Sequence, residues 1–217
     1  NEEILSDKNN SMIPKKLSVE KPKIISRAEW GARSPKYDYS NHPYFNKMTL
    51  HHAAGWGART LDEGKAAVKS IQDFHQDGRG WSDIGYHFLV DMAGNIYQGR
   101  PETVLGAHVG GANTGNIGVC LLGCYHPPET SIPCYDEMTY NSEQSLIKLY
   151  AWISDAYGVE PKLLKGHRDY FGTTSCPGNN VWSMIPQLKS EISLFIVYGF
   201  QPTRFALFQN FPNPFNT

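Results

Sequence analysis

The sequence has no uninterrupted apolar run near the roughly 20 residues that a membrane-spanning helix requires; its longest candidate, around Ile192 to Val197, is far shorter. An excess of either charge is also missing. With 20 Lys and Arg against 21 Asp and Glu, and a net charge of −1, no basic stripe is available to neutralise phosphates, which argues against nucleic acid as a partner. There is no His-Glu-x-x-His pair, so the helical ligand arrangement of many zinc peptidases is excluded. Internal repeats and low-complexity tracts are absent too. The polar start Asn1-Glu2-Glu3 carries no export signal, which leaves the compartment open.

Cysteine is sparse, and its four occurrences divide by context. Cys124 and Cys134 flank a Pro-containing loop whose ends can meet, so a disulfide is expected there, with two free thiols as the alternative. Cys120 lies in the apolar run Ile117 to Leu122, where a thiol behaves as a small hydrophobe in the core. Cys176, in Thr-Ser-Cys-Pro-Gly, suits neither a strand core nor a disulfide and is left for chemistry.

What is present reads as one globular domain with tails, at 40% hydrophobic and 19% charged residues over 217 positions. Residues 1–22 are polar without an apolar period and are expected to be mobile or draped on the surface. Residues 23–198 form the expected domain, and 199–217 a separate unit in which Pro212 and Pro214 alternate with Asn. Met48 to His51, Tyr86 to Val90, Ile96 to Gln98 and Ile117 to Leu122 are β-prone runs bounded by Gly, Asn or Asp. Ala93-Gly94-Asn95 marks a hairpin between two of them. Helical spacing appears over Leu61 to Phe74, over Ser142 to Tyr157 with Asn141 and Gln144 as a cap pair and Gly158 as its stop, and over Val181 to Ile196, with Pro186 as a kink or first-turn residue. The fold class is therefore α/β, a mixed central sheet flanked by helices.

His51 stands where an apolar strand gives way to His52-Ala-Ala-Gly55, and strand ends are where sites form. Gly166-His167-Arg168-Asp169 follows a helix-strand connection, and Cys176 comes nine residues after His167. Two imidazoles and a thiolate are borderline-soft donors that suit zinc and leave a fourth position for water. They lie too far apart for any local zinc-finger spacing, so only the fold can join them.

Residues from about Ile24 to Val197 resemble the peptidoglycan recognition proteins and the type 2 N-acetylmuramoyl-L-alanine amidases. The matching stretches, in order, are Ile25 to Arg33, Leu50-His-His-Ala-Ala-Gly55, Trp81 to Val90, Gly94 to Arg100, Gly106-Ala-His108, Asn116-Ile-Gly-Val119, and Gly166 to Asp169 followed by Cys176-Pro-Gly178. The resemblance implies that fold, with His51, His167 and Cys176 binding Zn2+ and the Tyr86 hydroxyl positioning the attacking water. It also implies a hydroxyl near the developing oxyanion at Thr174 and groove or ligand-supporting places for His52, His87 and His108; His42, His75 and His126 match no motif. Gly80-Trp81 and Arg100 match relatives that prefer stems carrying meso-diaminopimelate. The interval from His167 to Cys176 is one residue longer than usual for the family, and Gly172 is expected to absorb the bulge. The implied activity is hydrolysis of the bond between N-acetylmuramic acid and L-alanine of peptidoglycan, by a monomer. Relatives that bind without cutting typically lack the cysteine, which is retained here. Phe205 to Thr217 resembles the opening of a type IX secretion sorting domain, which implies a secreted, cell-surface or periplasmic protein of a bacterium.

Overall fold

The computed structural model describes residues 18–126 and 134–199. Residues 1–17 and the sorting-domain resemblance at Phe205 to Thr217 lie outside them. The β-prone runs form β1 (Lys47–His52), β2 (Phe88–Val90), β3 (Ile96–Gln98) and β4 (Asn116–Leu121), joined by a short β5 (Leu164–Gly166). Their order across the sheet is β3-β2-β4-β1-β5. β2 and β3 pair antiparallel through the expected hairpin, while β2, β4, β1 and β5 run parallel. The sheet is thus mixed and, like most parallel sheets, covered on both faces.

The period of two along each strand sorts the side chains. Met48 and Leu50, Phe88 and Val90, and Ile117, Val119 and Leu121 point to one face, where α2 (Tyr140–Tyr157) and α5 (Ile185–Tyr198) bury Leu146, Leu149, Tyr150, Ile153, Leu188 and Ile192 against them. On the other face, Leu89 and Cys120 pack with Val68 and Ile71 of α1 (Leu61–Asp73) and with Ile84 and Tyr97. That second face is apolar only in part. Thr49 and His51 of β1 and Asn116 and Gly118 of β4 also belong to it by alternation, and they leave room for a polar cluster.

α1 begins with a reciprocal cap in which Thr60 Oγ1 accepts from the Glu63 N–H and the Glu63 carboxylate accepts from the Thr60 N–H. It continues into a π-helical turn, Phe74–Gly78. α2 starts earlier than the spacing suggests: its cap is Thr139, accepting from the Ser142 N–H at 3.1 Å, rather than the pair Asn141 and Gln144, which lie inside the helix. It stops at Gly158, whose φ of 68° suits glycine. The single helix expected over Val181 to Ile196 is two, α4 (Asn179–Trp182) and α5, with α3 (Arg168–Phe171) as a separate turn before them. Pro186 sits in the first turn of α5, where a missing N–H costs nothing. Ahead of β1, the Val19 N–H donates to Asp155 of α2, and Ile25 bridges to Tyr97 along the outer edge of β3.

Candidate functional site

β1 and β5 are parallel neighbours, so their carboxyl ends open on the same side of the sheet. β1 ends in His51 and His52, and β5 is followed at once by His167, whose N–H donates to the Leu50 carbonyl at 3.2 Å. The His51 and His167 rings stand 4.7 Å apart, centre to centre. Cys176 arrives by a loop folded back on its own start: the Arg168 N–H donates to the Cys176 carbonyl at 2.9 Å. The Arg168 guanidinium holds the Asn179 side chain at 2.7 Å and also the Ser175 carbonyl. Asp169 accepts from the Gly166 N–H and the Trp182 indole, each at 2.8 Å. The loop turns at Gly172, with φ of 64°, at the end of α3.

These constraints bring one donor atom each from His51, His167 and Cys176 within 4.8 Å of one another, and among the described residues no other His, Cys, Asp and Glu group does the same. His51 Nδ1 is 3.6 Å from Cys176 Sγ, which also accepts from the His52 N–H at 3.4 Å. The donor set fits zinc: two nitrogens and one sulfur converge, with no fourth donor in the group among the described residues. Burial, reinforced by the neighbouring His108 and His167, holds the His51 imidazole well below its usual range, and burial lowers His167 as well, so both favour the neutral, donating form. Burial pushes the Cys176 thiol up to about 12, against the His52 N–H and Arg168. Binding a cation there must therefore expel a proton.

Tyr86, just ahead of β2, faces the same cluster, its ring centre 5.2 Å from that of His51. Its phenol is driven well above the usual range, first by burial and then by Cys120 and Cys176, and so remains a hydrogen-bond donor. Thr174 Oγ1 accepts from the Cys176 N–H at 3.1 Å, which leaves its own proton to donate.

The remaining expected site residues fall into two groups. Gly80 is exposed with φ of 69°, and Trp81 beside it stacks on His75 at 4.7 Å. His52 is buried, accepting at Nδ1 from the Tyr125 N–H. His87 and His108 are buried behind His51. Arg100 is buried as well, 7% exposed, and donates to the carbonyls of Ile84, Leu105 and Asp83. It ties these three carbonyls together and lies over the Tyr39 ring. Three contributors had no role assigned from the sequence: Arg168 and Asp169, which shape the Cys176 loop, and His75, which lies between Trp81 and Tyr86 because the π-helical turn carries it there. Cys124 and Cys134 form a disulfide with Cα atoms 4.9 Å apart, and Cys120 is a buried free thiol.

The chain is similar to several known proteins. Residues 41–179 match the family model described as N-acetylmuramoyl-L-alanine amidase. Peptidoglycan-recognition protein SC2 of Drosophila melanogaster is 37% identical over 166 residues, covering 75% of this chain and 84% of that one. Among solved structures, the N-acetylmuramoyl-L-alanine amidase LysC from Clostridium intestinale superposes with a TM-score of 0.64 at 28% identity, over 79% of this chain and 98% of the other. Peptidoglycan recognition protein LE, in complex with tracheal cytotoxin, a monomeric diaminopimelic acid-type peptidoglycan, gives a TM-score of 0.68 at 26% identity over 76% of this chain and 92% of that one.

Proposed function

Because the chain belongs to the N-acetylmuramoyl-L-alanine amidase family, we propose that it is a zinc-dependent hydrolase of peptidoglycan. It cuts the lactyl-amide bond between N-acetylmuramic acid and L-alanine and prefers stems with meso-diaminopimelate. The observation that carries this reading is the convergence of His51, His167 and Cys176, three donors from distant parts of the chain, within 4.8 Å.

When bound by these residues, zinc supplies a Lewis acid that acidifies water and polarises the scissile carbonyl. The chain does the rest. His51 and His167 present lone pairs from rigid strand ends, and Cys176 gives up its proton to join them. Tyr86 donates from a phenol that stays protonated, holding the attacking oxygen in place. Thr174, its oxygen pinned by the Cys176 N–H, directs its proton to the oxygen that gains charge as the carbonyl is attacked. Gly80 and Trp81 form open wall for the stem, and the Arg100 guanidinium is the cation for the extra carboxylate of diaminopimelate. A structural relative bound to a diaminopimelic acid-type ligand supports that preference. Such a protein works outside the membrane, where the Cys124 to Cys134 disulfide is stable.

The test is to incubate purified peptidoglycan with the protein, with chelator, and with zinc restored. New L-alanine amino termini should appear only when metal is present. Binding of muropeptides without any such release would instead assign a recognition protein that does not cut.

A further inference from the structure

We propose that His108 is a positioning residue that makes His51 a metal donor, by accepting a hydrogen bond from the protonated His51 Nε2 and so leaving Nδ1 bare toward Cys176. The proposal rests on the zinc reading above. It follows from three contacts read in sequence. His108 Nε2 lies 3.1 Å from the Asn116 carbonyl oxygen, which can only accept, so this nitrogen carries the proton. In a neutral imidazole the other nitrogen is then a bare acceptor, and His108 Nδ1 lies 3.0 Å from His51 Nε2. His51 must donate there. Its remaining nitrogen, Nδ1, is left with a free lone pair, and that is the atom 3.6 Å from Cys176 Sγ. A ligand imidazole whose second nitrogen is held in this way has both its tautomer and its ring orientation settled before metal arrives.

The surroundings of His108 are built to hold that ring. A Cβ at Gly118 would stand 2.6 Å from His108 Cγ and Nδ1, and one at Gly106 would stand 2.5 Å from its Cδ2, so both positions admit the ring only as glycine. Asn113 Oδ1 accepts from the His108 and Val109 N–H groups at 2.9 and 2.8 Å, fixing the backbone from which the ring projects. His87 shows the contrast. It is equally buried, but its two nitrogens meet the Gly118 N–H and the Val104 carbonyl, each at 2.9 Å, so it ties loop to strand and touches no donor. A histidine that only filled space at 108 would need no partner on the donor side.

Two readouts test this. Nitrogen NMR of the zinc-free protein should show His51 protonated at Nε2, with coupling across the bond to His108 Nδ1. Zinc affinity, measured by competition with a chelator, should fall about 10- to 100-fold in His108→Leu, which keeps bulk but cannot accept. His108→Asn places an oxygen near the Nδ1 position and should recover most of that loss; Gly118→Ala, which displaces the ring without touching a donor, should weaken zinc binding. The cobalt-substituted parent and His108→Asn should share an absorption spectrum. If His108→Leu does not fold, the NMR state of the parent and the other two variants still decide. His51 protonated at Nδ1, or parental affinity in His108→Leu or Gly118→Ala, or no recovery in His108→Asn, overturns the proposal. Zinc uptake by a parent whose His51 is protonated at Nδ1 removes this inference alone, whereas a parent that takes up no zinc removes the amidase reading with it.

Discussion

The main-chain N–H of Arg168 donates to the carbonyl of Cys176 at 2.9 Å, so the residue following one donor is bonded directly to another donor. The Arg168 guanidinium strengthens the tie through Asn179 and the Ser175 carbonyl. Lysine keeps the charge but not the two-pronged reach. Arg168→Lys should therefore weaken zinc binding by about tenfold, the lower end of the range for residues supporting a ligand, while the circular dichroism of the fold stays that of the parent. A variant with parental zinc affinity would show that the backbone bond alone suffices.

Cys176→Ser removes the sulfur donor and little else. Amide hydrolysis should be lost, and most muropeptide binding should remain, because Gly80, Trp81 and Arg100, proposed to meet the stem, are left intact. Full activity in this variant would exclude Cys176 as a ligand.

The disulfide closes a short loop between residues 124 and 134. By the chain-entropy argument, the double variant Cys124→Ser, Cys134→Ser should be less stable by about 2 to 3 kcal/mol, read from urea unfolding. Peptide mapping of the unreduced protein should recover that bridge with Cys176 free. A bridge that includes Cys176 would contradict the zinc site as well.

The stem preference is measured by cleavage of diaminopimelate-type against lysine-type substrate. A charge-assisted contact of about 1.5 to 3 kcal/mol corresponds to roughly tenfold to a hundredfold discrimination. Because Arg100 also holds the carbonyls of Ile84 and Leu105, the informative change is Arg100→Lys rather than alanine. It should slow the diaminopimelate substrate chiefly. Equal parental rates on both substrates would end the idea.

His75 provides a pH dependence away from the donor set. Burial, then Arg79 and Arg100, push its folded-state value down to about 4 from 6.5. Below pH 6.5 the unfolded chain takes up a proton that the folded ring refuses, so stability should be flat above that point and fall as the pH drops toward 4. The contribution amounts to about 3 kcal/mol at full extent. In His75→Asn, whose oxygen can still accept from the Gly85 N–H, the acid loss should shrink by that order. Parallel curves for parent and variant from about pH 7.5 to pH 4 would place the acid sensitivity elsewhere.

Four of the five strands were legible because each is a short β-prone run bounded by Gly, Asn or Asp. β5 was not, since Leu164-Lys165-Gly166 is three residues with an exposed lysine at its centre and gains its form only by pairing with β1. The cap of α2 was misplaced because Asn141 and Thr139 are both able to cap, and only the Thr139 contact with the Met92 carbonyl decides between them. The donor residues were visible as types, but nothing local joins His51 to His167; their meeting depends on the order of parallel strands, and resemblance alone supplied it in advance. Arg100 was expected in the groove, and its three carbonyl partners come from loops whose closeness no spacing could disclose.

β3 ends the sheet on one side, and Ile25 lies along it: its N–H donates to the Ile96 carbonyl at 2.8 Å and its carbonyl accepts from the Gln98 N–H at 2.9 Å. Those are the groups through which an uncovered edge strand would recruit a second chain. The backbone at Ile25 thus covers an edge that would otherwise be open to pairing. A protein trimmed beyond Ile25 would keep every donor of the site and yet lose solubility, through self-association that starts at β3.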